Sequence, residues 1–138
     1  MNNKYKVVII GCGVAGMTAA LYLNRAGIEC IILEKSMPGG QIVDNGNIMN
    51  FPTYESISGS DLALKMLKQI TDLGVPVKYE EVKEIKVDKE KKVITSKDEY
   101  ICDYVIIATG RKPKLLGVKG EDELRTKGIS YCAVCDGA

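Results

Sequence analysis

The chain has 138 residues, 46% of them hydrophobic and 27% charged, with nineteen Lys and Arg against eighteen Asp and Glu for a net charge of +1. That length makes one domain with a core of ordinary size, and the sequence shows no basic stripe and no aromatic series that would suit a nucleic-acid partner. No apolar run approaches the roughly 20 residues of a membrane helix, and the N-terminus lacks the apolar stretch and cleavage site of a signal peptide, so the expectation is a soluble, cytoplasmic chain with no membrane partner.

Lys6 to Ile10 is a β-branched run, Val14 to Ala26 has helical spacing, and Ile28 to Leu33 is again continuously apolar. That order predicts strand, helix and parallel strand, with Gly27 at the helix C-cap. Residues 35 to 58 hold glycines and prolines with little periodicity, long for an idle connection and therefore expected to be functional. Ser58 or Ser60 is suited to cap a second helix, where Leu62, Met66, Ile70 and Leu73 share a face and Gly74-Val75-Pro76 ends the run. Val77 to Tyr79 reads as a short buried strand. Lysine-rich alternation from Glu81 to Tyr100 predicts an antiparallel excursion with one wet face. Tyr104 to Ala108 reads as a last buried strand, and the charged, turn-rich sequence beyond Pro113 as a linker.

Gly11-Cys12-Gly13-Val14-Ala15-Gly16 places GxGxxG where a strand meets a helix. Gly11 permits the tight turn, Gly13 lets the backbone approach a pyrophosphate, Gly16 lets helix and strand pack closely, and the helix N-terminus offers N–H groups and positive dipole to the phosphates. Glu34 ends the second predicted strand, 23 residues on from Gly11, where a carboxylate accepts both ribose hydroxyls of an adenosine and repels a 2′-phosphate. That pattern predicts a dinucleotide site for FAD or NAD, and does not separate the two.

Cys132-Ala133-Val134-Cys135-Asp136 is a CxxC pair with an acid directly behind it. Two thiols at that spacing close a small disulfide and trade two electrons. In a reducing compartment such a pair is catalytic or metal-binding, and with no histidine and no second CxxC a metal site is not expected. Cys12, Cys30 and Cys102 stand singly in apolar or strand-like stretches and read as buried small hydrophobes.

These motifs, with Pro38-Gly39-Gly40-Gln41, Asn50-Phe51-Pro52, Ala108-Thr109-Gly110 and Gly120-Glu121 between them, resemble the low-molecular-weight thioredoxin reductases of the pyridine-nucleotide-disulfide oxidoreductase superfamily. The resemblance implies an α/β, three-layer Rossmann-like FAD-binding fold with a parallel sheet and an antiparallel β excursion. It implies FAD at the first nucleotide site, with Gly39, Gly40, Gln41 and Asn50 along the flavin, Ala108, Thr109 and Gly110 passing close by, and Val14, Ala15, Lys35 and Val82 among the cofactor-binding residues. Without it, Gly39 to Gln41 and Asn50 read as a glycine turn and a polar loop residue. Departures from the family pattern are Cys12 where many relatives have alanine, Val14 where many have proline, and Thr53 where a glycine commonly follows the proline.

The activity implied is hydride transfer from NADPH to FAD, electron transfer to a Cys132–Cys135 disulfide, and exchange with thioredoxin or a similar dithiol protein. Cys135 would face the flavin, Cys132 would attack the partner disulfide, and Asp136 would serve as acid and base. Neither a second nucleotide fingerprint nor the family's returning Gly-Asp segment is present. The chain is therefore expected to be the N-terminal part of a protein about twice as long. Residues 1–113 would be the first segment of an FAD-binding domain, and 114–138 a linker and the start of the NADPH domain, in a full-length protein that is commonly a homodimer. A ferredoxin-driven reductase, a flavoprotein that recharges a peroxiredoxin, and a non-catalytic FAD-binding fragment stand as alternatives. The start of the chain directly at the first strand argues against the peroxiredoxin partner, which typically carries extra N-terminal domains.

Overall fold

The computed structural model describes residues 3–125 and 127–132. Strand β1 (Lys4–Ile10) leads into helix α1 (Val14–Arg25) and strand β2 (Cys30–Glu34); a 3-10 turn (Gly40–Asp44) precedes helix α2 (Gly59–Asp72). Strands β3 (Val77–Tyr79), β4 (Val82–Val87), β5 (Lys91–Thr95) and β6 (Glu99–Ile107) follow, and a single helical turn, α3 (Glu121–Leu124), comes last.

The strands form one sheet in the order β3-β2-β1-β6-β5-β4. β1 pairs parallel with β2 and with β6, and β2 parallel with β3, whereas β4-β5 and β5-β6 are antiparallel. β6 serves both halves, since Ile101 and Cys102 pair with β1 on one side and with β5 on the other.

Alternation along β1 and β2 sends side chains to two cores. Val7, Ile9, Cys30 and Ile32 meet Met17 and Ala20 of α1 and Ile70 of α2 on one face. Val8, Ile10, Ile31 and Leu33 meet Val93, Tyr100 and Cys102 on the other. The antiparallel strands therefore curl over the second face, giving helices, sheet and β meander as three layers. β1 and β2 are buried on both faces, which is why they read as unbroken apolar runs.

Ends of elements follow from local chemistry. The Ser58 hydroxyl accepts from the Asp61 N–H at 3.1 Å and donates to the Asp61 carboxylate at 2.7 Å, so Ser58 rather than Ser60 is the cap. Helix α1 closes with Gly27 at φ +70°, its N–H on the Asn24 carbonyl and the Ile28 N–H on the Leu23 carbonyl, the paired bonds of a Schellman stop.

Three expectations need correction. The last strand begins at Glu99 rather than Tyr104, because Glu99 to Cys102 pair with β5 in the meander, with Ile101 and Cys102 pairing with β1 as well, and only the residues beyond belong to the parallel half alone. It is not buried throughout, Tyr104 and Ile107 being 61% and 69% exposed. β3 is an edge strand with Tyr79 half exposed, paired on one side only. The stretch beyond Pro113 carries α3, whose Glu121 is buried and accepts from the Leu116 and Gly117 N–H groups at 2.8 and 2.7 Å.

Candidate nucleotide site

The carboxyl ends of β1, β2 and β6 meet at one edge of the sheet, the edge at which open α/β sheets bind ligands. Gly11 donates to the Leu33 carbonyl at 2.8 Å, and Ala108 donates to the Ile10 carbonyl at 2.8 Å. Gly11 turns the chain there at φ +105°, and a Cβ on it would lie 2.4 Å from the Ala108 oxygen. Gly16, one turn into α1, is crowded from below: a Cβ would stand 1.9 Å from the Gly11 oxygen. Helix α1 thus approaches β1 closely only because residue 16 has no side chain.

Gly13 differs from both. Its φ of −83° is open to any residue, and a Cβ there would meet nothing nearer than 3.9 Å. The protein's own packing gives no reason for glycine at this position, whereas a ligand that must touch the backbone gives one. Gly13 is the N-cap of α1, with no side-chain cap bond and no acid in the first turn, an arrangement that leaves the helix N-terminus suited to an anion.

Glu34 is 9% exposed at the end of β2. Its Oε2 accepts the Cys12 N–H at 2.7 Å and its Oε1 the Ser36 N–H at 2.9 Å. An ionised carboxylate has about four acceptor positions, so these two bonds fix its orientation and leave capacity for further donors. Burial first, and then the neighbouring Glu34 charge, push the Cys12 thiol up to about 11. Cys12, Cys30 and Cys102 are all free and buried, as their apolar surroundings in the sequence suggested.

The glycine loop after β2 closes against the same turn. Gly39 donates to the Cys12 carbonyl at 2.7 Å and bridges to Gly13; a Cβ on it would strike Val43 and Ala63, 2.5 and 2.6 Å away. A Cβ on Gly40 would lie 3.5 Å from the Gly13 Cα. Gln41 reaches across to the Arg111 carbonyl at 3.1 Å, tying the loop to the segment that leaves Ala108-Thr109-Gly110.

The structure thus brings Gly11, Gly13, Val14, Ala15, Gly16, Glu34, Gly39, Gly40, Gln41 and Ala108 to one place, with Thr109 and Gly110 continuing from Ala108. Lys35 is exposed beside Glu34, and its charge adds to the Lys83 ion pair that lowers the Glu81 carboxyl. Val82 opens β4 and packs against the meander core. Asn50 is exposed in a surface cleft lined by Met49, Phe51, Pro52, Thr53 and Tyr54. Thr53 in that loop has φ +79°, a left-handed position that favours glycine.

Cys132 is disulfide-bonded, and its N–H donates to the Ser130 hydroxyl at 3.0 Å. Cys135 and Asp136 lie outside the described residues. Among those that are described, no cluster of three or more potential metal ligands occurs, and no helix is long and apolar enough to cross a membrane.

Sequence reasoning passed over Gly59, where a Cβ would lie 1.6 Å from the Ile42 oxygen. A glycine directly behind a serine cap was the available signal. It also passed over Ser36 and the buried acid Glu80, which nothing in the local pattern distinguishes from a surface carboxylate, and Glu121 stood out only as part of the Gly120-Glu121 motif.

A family model described as pyridine nucleotide-disulphide oxidoreductase matches residues 5–138. The chain belongs to that family. It is 46% identical over 135 residues to a thioredoxin reductase of Listeria monocytogenes, an alignment that covers 97% of this chain and 42% of that protein. The crystal structure of thioredoxin reductase from Streptococcus pyogenes superposes with a TM-score of 0.88 at 45% identity, over 100% of this chain and 45% of that one. The Lactococcus lactis enzyme does so with a TM-score of 0.82 at 47% identity, over 97% and 45%. The chain therefore spans less than half the length of the relatives it matches.

Proposed function

We propose that this chain is the FAD-binding first segment and redox-pair portion of a thioredoxin reductase. The observation that carries this is the open backbone at Gly13 beside the oriented Glu34 carboxylate, in a fold whose relatives bear that name. The residues present fit the cofactor. Gly13 and the first turn of α1 would hold the pyrophosphate, Glu34 would accept ribose hydroxyls, and Gly39 to Gln41 with Ala108 to Gly110 would lie along the flavin. Glu34 also disfavours a 2′-phosphate at this site, which selects FAD over NADP.

When bound, the flavin supplies two-electron transfer between a nicotinamide and a disulfide. The chain's own part is to orient and to exchange. Cys132 attacks the disulfide of thioredoxin or a similar protein, Cys135 resolves it, and Asp136 holds and returns the proton between thiol and thiolate. The NADPH domain belongs to the remainder of a longer, cytoplasmic and homodimeric protein, with 114–138 as its approach.

The test is nicotinamide oxidation by the full-length protein in the presence of FAD and thioredoxin. NADPH consumption that Cys135→Ser abolishes, with flavin still bound, is the expected result. Turnover with reduced ferredoxin and none with NADPH would replace the donor, and loss of flavin on Cys135→Ser would displace that cysteine from its role.

A further inference from the structure

Glu80 is a carboxylate that the proposed chemistry does not use, yet it is only 7% exposed. It follows β3 at the same sheet edge as Glu34. Its Oε2 accepts the Thr95 hydroxyl at 2.7 Å and its Oε1 the Tyr100 hydroxyl at 3.0 Å. Its own N–H donates to the Glu34 carbonyl at 2.8 Å. Its neighbours are pinned as well: Lys97 donates to the Tyr79 carbonyl at 2.9 Å, and Ser96 N–H to the Glu81 carbonyl at 2.8 Å.

A buried carboxylate is costly unless its oxygens are satisfied, and here both oxygens are satisfied by side chains of the meander, Thr95 from β5 and Tyr100 from β6. Tyr100 is 1% exposed, and burial, followed by the Glu80 bond, raises its hydroxyl well above the usual tyrosine range. The bonds run continuously from the meander through the Glu80 side chain and its main chain to Glu34, whose carboxylate in turn holds the Cys12 and Ser36 N–H groups. The parallel sheet and the meander are thus joined at the point where the ribose carboxylate sits.

We propose that Glu80 is a positioning residue for the adenosine end of the nucleotide site, fixing the corner 80–82 and the Glu34 backbone by locking them to Thr95 and Tyr100. The assignment rests on the proposed nucleotide site. Removing the side chain unties the corner from the meander and leaves the buried Tyr100 hydroxyl without its acceptor, while Thr95 keeps the Asp98 carbonyl at 2.9 Å, so the Glu34 backbone is held by main-chain bonds alone. Gln at this position keeps an acceptor for Thr95 and presents an N–H to the Tyr100 oxygen, preserving most of the link.

The experiment measures FAD and ADP affinity of the chain by flavin fluorescence and by calorimetry, well below each variant's melting temperature. Glu80→Ala is expected to weaken both ligands by the same factor, about tenfold, because the adenosine half is common to them; Glu80→Gln stays within about threefold of wild type. Ile70→Val, a cavity variant in the helix-side core, serves as the stability control and is expected to lower the melting temperature with no change in affinity. Unchanged affinity in Glu80→Ala, a loss for FAD without one for ADP, or an equal loss in Ile70→Val would each overturn the positioning role. Wild-type protein that binds neither ligand would overturn the nucleotide site itself, and the role with it.

Discussion

On the proposed nucleotide site, Gly13 is a glycine kept for a ligand and Gly16 a glycine kept for the fold. At Gly16 an added Cβ would sit 1.9 Å from the Gly11 oxygen, against roughly 3.3 Å for even a close carbon–oxygen contact, and both partners are backbone. Relieving such a clash costs about 3 kcal/mol, the upper end for overpacking, offset by about 1 kcal/mol of helix propensity gained by alanine. The net loss of about 2 kcal/mol lowers the melting temperature of a domain this size by roughly 8 °C. At Gly13 the nearest atoms are 3.9 Å away. Alanine as an N-cap costs about 0.5–1 kcal/mol relative to glycine, and the stiffer unfolded chain returns about the same, so the melting temperature should move by no more than about 2 °C. The same methyl occupies the space through which a pyrophosphate would reach the backbone, so FAD affinity should fall tenfold or more, about 1.4 kcal/mol. Thermal melts and flavin titrations of Gly13→Ala and Gly16→Ala check this. Gly13→Ala protein that binds FAD like wild type, or that melts as early as Gly16→Ala, would refute the assignment of Gly13 to the ligand.

Three further outcomes follow from the same geometry. Glu34→Ala strips the acceptor from the Cys12 and Ser36 N–H groups and should cost about 1–3 kcal/mol along with FAD affinity; full stability by urea titration would contradict it. Burial raises the Cys12 thiol to about 11 and moves Cys30 and Cys102 in the same direction. The folded chain then retains protons that the unfolded chain releases near pH 9, so stability should fall as pH rises from about 9 toward 11. Urea midpoints should decline over that window, less so in Cys12→Ala, and a rising midpoint would reverse the sign. Thr53 at φ +79° carries left-handed strain of about 1–2 kcal/mol, so Thr53→Gly should raise the melting temperature by a few degrees, and a lowered one would show that its side chain makes up the difference.

Much of this was legible in the sequence because the controlling signals are local. The β-branched runs of β1 and β2, the serine cap at Ser58 and the stop at Gly27 each act within a few residues, and GxGxxG followed by Glu34 states a strand-turn-helix-strand unit by spacing alone. What escaped depends on distant pairing. β6 reads as polar and then apolar because it changes layers midway, and only its partners β5 and β1 explain the change. Glu80 and Glu121 look like surface acids, since the hydroxyls and N–H groups that admit them to the interior come from other parts of the chain: Thr95 and Tyr100 for one, Leu116 and Gly117 for the other. Gly59 is crowded by Ile42, seventeen residues earlier in a loop without periodicity.

The central claim is that the turn at Gly11 to Gly16 and the Glu34 carboxylate hold the adenosine diphosphate half of FAD, and a competition titration of the purified chain addresses it directly. Saturable one-to-one quenching of flavin fluorescence by FAD, displaced by ADP and not by FMN, is the expected result. Absence of FAD binding, or displacement by FMN with none by ADP, would contradict it.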